Sequence, residues 1–186
     1  MSAQVPIHPI IADRWSPYGF DPRPIPHEDL RGLFDAARVA PSSYNDQPWR
    51  FIVAGRDDEA GFARLVSCLA ETNQPWATNA GALVITVTKT ISDQTAKPNR
   101  FAWHDVGLAI GNLLAQATSI GLYVHQMGGF SATKARAEFG IPDGYEPVSA
   151  IAIGYASDSD EKRRGRKSLE GIVFGPGWGS STDITR

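Results

Sequence analysis

The chain has 186 residues, 42% of them hydrophobic, which is enough for one substantial core and too little for two comfortable domains. A net charge of −2 gives no general attraction to nucleic acid or to an acidic membrane surface, and no apolar run approaches the ~20 residues of a membrane helix. The single cysteine, Cys68, excludes an internal disulfide and, with no signal peptide visible, fits a reducing cytoplasm.

Residues 1–11 contain two prolines and no clear period, so they read as an arm that either frays or packs on another surface. Asp13-Arg14-Trp15-Ser16-Pro17 follows, in which Arg14 and Ser16 offer cationic donors and a hydroxyl, the groups a phosphate or carboxylate needs. Taken alone, that pair reads better as a surface ion pair. Pro26-His27-Glu28-Asp29 places proline and acids where a helix begins, and Leu30, Leu33, Phe34 and Ala37 recur along one helix face.

The stretch Ala40-Pro41-Ser42-Ser43-Tyr44-Asn45-Asp46-Gln47-Pro48-Trp49-Arg50 joins this helix to an apolar strand over residues 49–54, ended by Gly55. Its prolines restrict the backbone and its small polar side chains can present hydroxyl and amide groups at fixed positions, so it reads as a binding loop; as an isolated cluster it would be a surface turn. Phe62, Leu65, Val66 and Leu69 predict a second helix that closes near Asn73-Gln74-Pro75. Residues 82–88 form a nearly continuous apolar and β-branched run, the pattern of a strand covered on both faces.

A polar connection over residues 91–100 leads to the strongest helical signal, with Val106, Ile110, Leu113, Leu114 and Ala117 in period and Gly107 and Gly111 one turn apart. Glycines inside a helix cost roughly 1 kcal/mol each against alanine, so the pair suggests that another backbone comes close, the sheet's or a symmetry mate's. His104 and Asp105 are adjacent on that helix and are not expected to face one another. The segment Gly121-Leu122-Tyr123-Val124-His125-Gln126-Met127-Gly128-Gly129-Phe130 ends in a double glycine that lets a backbone approach a ligand closely. His125 and Met127 read equally as core residues or as ligand-lining ones.

A short helix over residues 131–139, a turn over 141–145 and a strand over 148–155 complete the core pattern. The acidic Asp158-Ser159-Asp160-Glu161 then meets the basic run Lys162-Arg163-Arg164-Gly165-Arg166-Lys167, by itself a solvated loop. His8, His27, His104 and His125 lack metal-ligand spacing, no glycine-rich phosphate motif opens a helix, and the loop serines lack a nucleophile elbow.

The order Pro-Ser-Ser-x-Asn-x-Gln-Pro-Trp before an apolar strand resembles the nitroreductase family of flavoproteins, and the resemblance runs from about Asp13 to Phe174. It implies an α+β fold, a mostly antiparallel central sheet packed among helices with one long central helix. The chain would then be one FMN-binding domain over residues 1–186, with 1–11 as an N-terminal arm and 175–186 as a tail. The resemblance assigns Arg14 and Ser16 to the flavin phosphate and ribityl chain, with Trp15 between them, and brings Arg164 and Arg166 onto the same phosphate. Pro41, Ser42, Ser43, Asn45 and Gln47 become cofactor ligands, Asn73 meets the ring edge, Met127 lines the ring, and Gly128 and Gly129 present an N–H to flavin N5, nearest the chemistry.

A homodimer with two FMN molecules at its interface is implied, the 41–47 loop of one subunit reaching the flavin held by Arg14, Ser16 and Arg166 of the other. NADH or NADPH would reduce the flavin, and a nitroaromatic, quinone or similar electron-poor acceptor would reoxidise it, by ping-pong hydride transfer in one pocket. Two departures stand out: Tyr18 and Trp76 occupy places where members carry basic residues, which implies a flavin of lower reduction potential. Dehalogenation, oxidation or flavin cleavage on the same fold, or non-catalytic flavin binding, are the alternatives.

Overall fold

The computed structural model describes residues 7–157 and 164–185; the first six residues of the arm and residues 158–163 of the charge reversal lie outside them. Strand β3 (Ala82–Lys89) is buried along all but its last residue, as its unbroken apolar run predicts. It pairs antiparallel with β2 (Trp49–Gly55) and with β5 (Tyr145–Ala156). Strand β4 (Tyr123–Met127) also pairs antiparallel with β5, and the two-residue β1 (Phe20–Asp21) joins the end of β5 through Phe20 opposite Ala156. Every pairing is antiparallel, so the expected α+β sheet is present.

Alternation along β3 and β5 divides the core in two. On one face Leu83, Ile85, Val87, Ala150 and Ala152 pack with helices α3 (Glu59–Cys68), α4 (Gln74–Ala77) and α6 (Ala132–Phe139). On the other, Ala82, Val84, Ile151 and Ile153 pack with α2 (His27–Arg38) and the 18-residue α5 (Ala102–Ser119). Each fully buried leucine or isoleucine contributes about 1.5–3 kcal/mol of transfer free energy, so this two-sided burial fixes the sheet's position. Cys68 lies in the first layer, free and buried, and burial pushes its thiol pKa up.

Three elements differ from the sequence reading. The second helix stops at Cys68, because Leu69 turns extended and bridges to Phe130; Asn73 therefore precedes the new helix α4, with proline in its first turn, and does not end the old one. Strand β5 begins at Tyr145, inside the expected turn, and its register with β3 shifts where Pro147 stands opposite Val87. Proline has no N–H for the ladder, and a bulge accommodates it. Part of the arm forms a one-turn helix α1 (Pro9–Ala12), capped by the His8 side chain.

The termini of the elements are tied by side chains. The Thr88 hydroxyl donates to the Ala102 carbonyl at 3.1 Å, which pins the start of α5 against the end of β3. That contact places the first turn of α5 beside the polar loop between α2 and β2.

Candidate functional site

The segment between α1 and β1 is bound to the body of the fold at several points. Arg14 Nη1 donates to Ser16 Oγ at 3.3 Å, and the Trp15 ring meets Tyr123 of β4 edge-on, centroids 5.6 Å apart. Next along, the Pro17 carbonyl accepts from His125 Nδ1 at 2.8 Å. Tyr18 sets its ring against His125 (4.6 Å) and Trp76 of α4 (5.2 Å), and those two rings lie 4.6 Å apart. His125 thus joins the Arg14–Ser16 pair to the strand that runs into Gly128 and Gly129.

Burial holds the His125 pKa below its usual 6.5; the Pro17 carbonyl opposes the shift and the Arg164 charge adds to it. With the folded pKa depressed, the unfolded chain binds the proton more readily. The stabilising contribution is therefore complete above about pH 6.5 and is lost as pH falls through the folded value. A His125→Asn variant, whose amide can still donate to Pro17, is expected to lose less stability than the parent between pH 7 and 5; thermal unfolding across that range checks it.

At the end of β4 the backbone is fixed on one side and open on the other. The Gly129 carbonyl accepts from Asn73 Nδ2 and from the Ala70 amide, each at 2.9 Å. A Cβ on Gly129 would stand 2.7 Å from Asn73 Nδ2, whereas one on Gly128 would meet nothing within 4 Å. A side chain at 129 would have to push the Asn73 amide aside, and the space at 128 is open. Met127, one residue before the glycines, is buried among core residues. A Gly129→Ala variant is expected to push the Asn73 amide off the Gly129 carbonyl at a small cost in stability, which thermal unfolding of parent and variant measures.

The loop over residues 42–47 forms a separate group. Tyr44 (φ 54°), Asn45 (φ 56°) and Gln47 (φ 45°) all adopt left-handed backbone, which only asparagine among them tolerates readily. Such strain persists where surrounding contacts over-determine it, and it clusters at functional sites. The Gln47 amide donates to Ser42 Oγ at 3.0 Å, and the Ser43 amide to Asp105 Oδ2 at 3.0 Å. Asp46 reaches the connection after β3, accepting from the Asp93 amide at 3.0 Å and from Asn99 Nδ2 at 3.1 Å.

His104 and Asp105 do touch, contrary to the sequence reading: Nδ1 lies 2.9 Å from Oδ1. The side chain of His104 swings outward at the helix start while Asp105 stays 2% exposed, so neighbours with different burial meet at the first turn. Asp105, Asp46 and the His125–Trp76 pair are structural supports whose partners no sequence motif marked.

The basic C-terminal residues are exposed. Arg166 Nη1 donates to the carbonyls of Arg164 and Gly165, at 2.9 and 3.3 Å, so its donors face its own backbone in this structure. Among the described residues, no hydrogen bond or ring contact joins the 42–47 loop to the Arg14–Tyr18 segment. The structure brings Arg14 to Ser16, Asn73 to Gly129 and Tyr18 to Trp76, and leaves the loop apart with Asp105.

Among the described residues the sheet is antiparallel throughout and lies between helical layers, an α+β fold shared with solved nitroreductase-family structures. The family model described as "Nitroreductase family" matches residues 11–155, and the chain belongs to that family. It is similar to a solved "oxidoreductase containing FMN" at 33% identity and a TM-score of 0.88, over 97% of this chain and 96% of that one. An uncharacterized 15.4 kDa protein of Mycolicibacterium smegmatis is 32% identical, over 70% of this chain and 98% of the relative. The oxygen-insensitive NAD(P)H nitroreductase of Salmonella typhimurium is 26% identical, over 81% of this chain and 89% of that protein.

Proposed function

We propose that this chain is an FMN-dependent NAD(P)H oxidoreductase that reduces nitroaromatic, quinone or similar electron-poor molecules by a ping-pong course, as a cytoplasmic homodimer. The observation that carries the reading is the His125 link between the Arg14–Ser16 pair and the strand leading to Gly128 and Gly129. A phosphate-binding end and a ring-facing end are thereby held on one rigid unit. The residues fit the cofactor: a part-buried cation and hydroxyl suit a phosphate, and the open space at Gly128 admits a planar ring close to backbone.

FMN, when bound, supplies the two-electron chemistry between nicotinamide and acceptor. Arg14 and Ser16 would hold its phosphate, with Arg164 and Arg166 closing on it and Trp15 packed between. Asn73, kept in place by the Gly129 carbonyl, would face the ring edge, and the backbone N–H of Gly128 or Gly129 would orient toward N5. Pro41, Ser42, Ser43, Asn45 and Gln47 would complete the site of the second subunit, which suits a loop that stands apart from Arg14 within one chain. Residues 1–186 would act as a single FMN-binding unit.

The site would carry little charge beside the ring, since Tyr18 is packed on Trp76 and His125 and burial keeps His125 neutral. A Tyr18→Arg variant is therefore expected to raise the potential of bound flavin by stabilising the anionic reduced form, as read by potentiometric titration.

The test of the whole reading is the visible spectrum of the purified protein, followed anaerobically by NADPH and then NADH. Flavin bands that bleach identify the activity and its donor. Bands that persist with both donors point to another flavin reaction or to binding alone, and no flavin after FMN is added removes the reading.

A further inference from the structure

We propose that Asp105 is a positioning residue that holds the 42–47 loop in its ligand-receptive shape, an inference that rests on the FMN reading above. The loop carries three non-glycine residues in left-handed backbone and would relax without external restraint. Two of its bonds, from the Gln47 amide to Ser42 Oγ and from Gln47 Nε2 to the Asn45 carbonyl, are internal and would travel with it. Asp46 ties it to Asp93 and Asn99, which belong to a loop themselves, and the exposed Arg50 side chain of β2 donates to the Gln47 carbonyl at 3.0 Å at the loop's far end. Asp105 is different in kind: its carboxylate is 2% exposed and sits on the long helix, whose start is anchored to β3 through Thr88 and Ala102.

One carboxylate oxygen takes the Ser43 amide at 3.0 Å and the other takes His104 Nδ1 at 2.9 Å. Both oxygens are engaged, so the group cannot swing to follow the loop. The effect on the ligand side is specific. With the Ser43 amide held inward, the Ser43 hydroxyl and the Asn45 side-chain amide make no hydrogen bond among the described residues and stay available to a ligand. Asp105 would act through these two groups without touching the cofactor.

The experiment compares Asp105→Ala and Asp105→Asn with the parent in two readouts, FMN affinity and amide hydrogen exchange of the apoprotein. Asparagine keeps an acceptor for the Ser43 amide and can donate to His104 from its other atom, whereas alanine leaves the amide unpaired. D105A is expected to bind FMN about tenfold more weakly and to exchange faster over residues 43–47 with unchanged protection in β3 and β5; D105N should stay within about threefold of the parent. Equal FMN affinity in D105A and the parent, or faster exchange spread over the whole sheet, overturns the assignment.

The parent alone supplies a further check should D105A not fold. Its Ser43 amide is expected to exchange more slowly than that of Tyr44, which has no such acceptor. Equal exchange at the two positions overturns the clamp. A parent that binds no FMN defeats the functional reading, while the exchange data still decide whether Asp105 fixes the loop.

Discussion

An Arg14→Ala variant is expected to bind FMN about 10- to 100-fold more weakly than the parent, with little change in thermal stability. Hydrogen bonds to charged groups contribute about 1.5–3 kcal/mol, and 1.4 kcal/mol is a factor of ten. Stability should hold because the segment around Arg14 is fixed by neighbours: Trp15 against Tyr123, Pro17 on His125, and Tyr18 against both His125 and Trp76. Removing the guanidinium leaves those contacts in place. Arg14→Lys should recover only part of the loss, since an ammonium keeps the charge but not the planar fork that matches two phosphate oxygens. Titration of FMN at low and high salt reads both effects, and the salt dependence should be shallower in Arg14→Ala. Equal affinity in parent and alanine variant would remove Arg14 from the phosphate site.

How far the sequence disclosed this protein depends on whether a feature is periodic or spatial. Strand β3 was legible as an unbroken apolar run, because both of its faces are covered, and helices α2 and α5 because one face of each is apolar at a fixed spacing. Strand β1 was not, since two residues such as Phe20 and Asp21 show no period and pair only because β5 runs past them. Pro147 concealed the start of β5, because proline signals a turn wherever a bulge is not foreseen. The candidate site divides along the same line. Arg14 with Ser16, the 41–47 loop and the double glycine are local in sequence and could be singled out. Asp105 is 62 positions from Ser43, and His125 is 108 from Pro17, so their pairing follows from the fold alone. Met127 is buried, and alternation puts it on the same face of β4 as Tyr123 and His125, so its place follows from the strand.

A Gly111→Arg variant is expected to fold as a monomer and to lose most of its FMN affinity. Gly107 and Gly111 face outward on α5, and a Cβ at either would meet nothing within 4 Å, so the sheet is not the close neighbour that their pairing suggested. Within the chain these two glycines only weaken the helix, by about 1 kcal/mol each relative to alanine. The face they share is otherwise apolar for an exposed one: Trp103 is 50% and Leu108 37% exposed. Alongside runs an open groove of about 220 Å³ lined by Ile10, Val39, Asn112 and Ala115 among others. A second copy of α5 laid on this face would approach closely just where side chains are missing, and would cover the apolar residues. Arginine at 111 has room in one chain but none beneath a partner helix, so folding and association separate. If each flavin is held by Arg14 of one subunit and the 42–47 loop of the other, a monomer keeps half of each site. Sedimentation mass and an FMN titration on the same sample read the two consequences, with Gly111→Ala as the control that adds helix propensity and little bulk. A dimeric Gly111→Arg protein that binds FMN normally would place the interface elsewhere than α5.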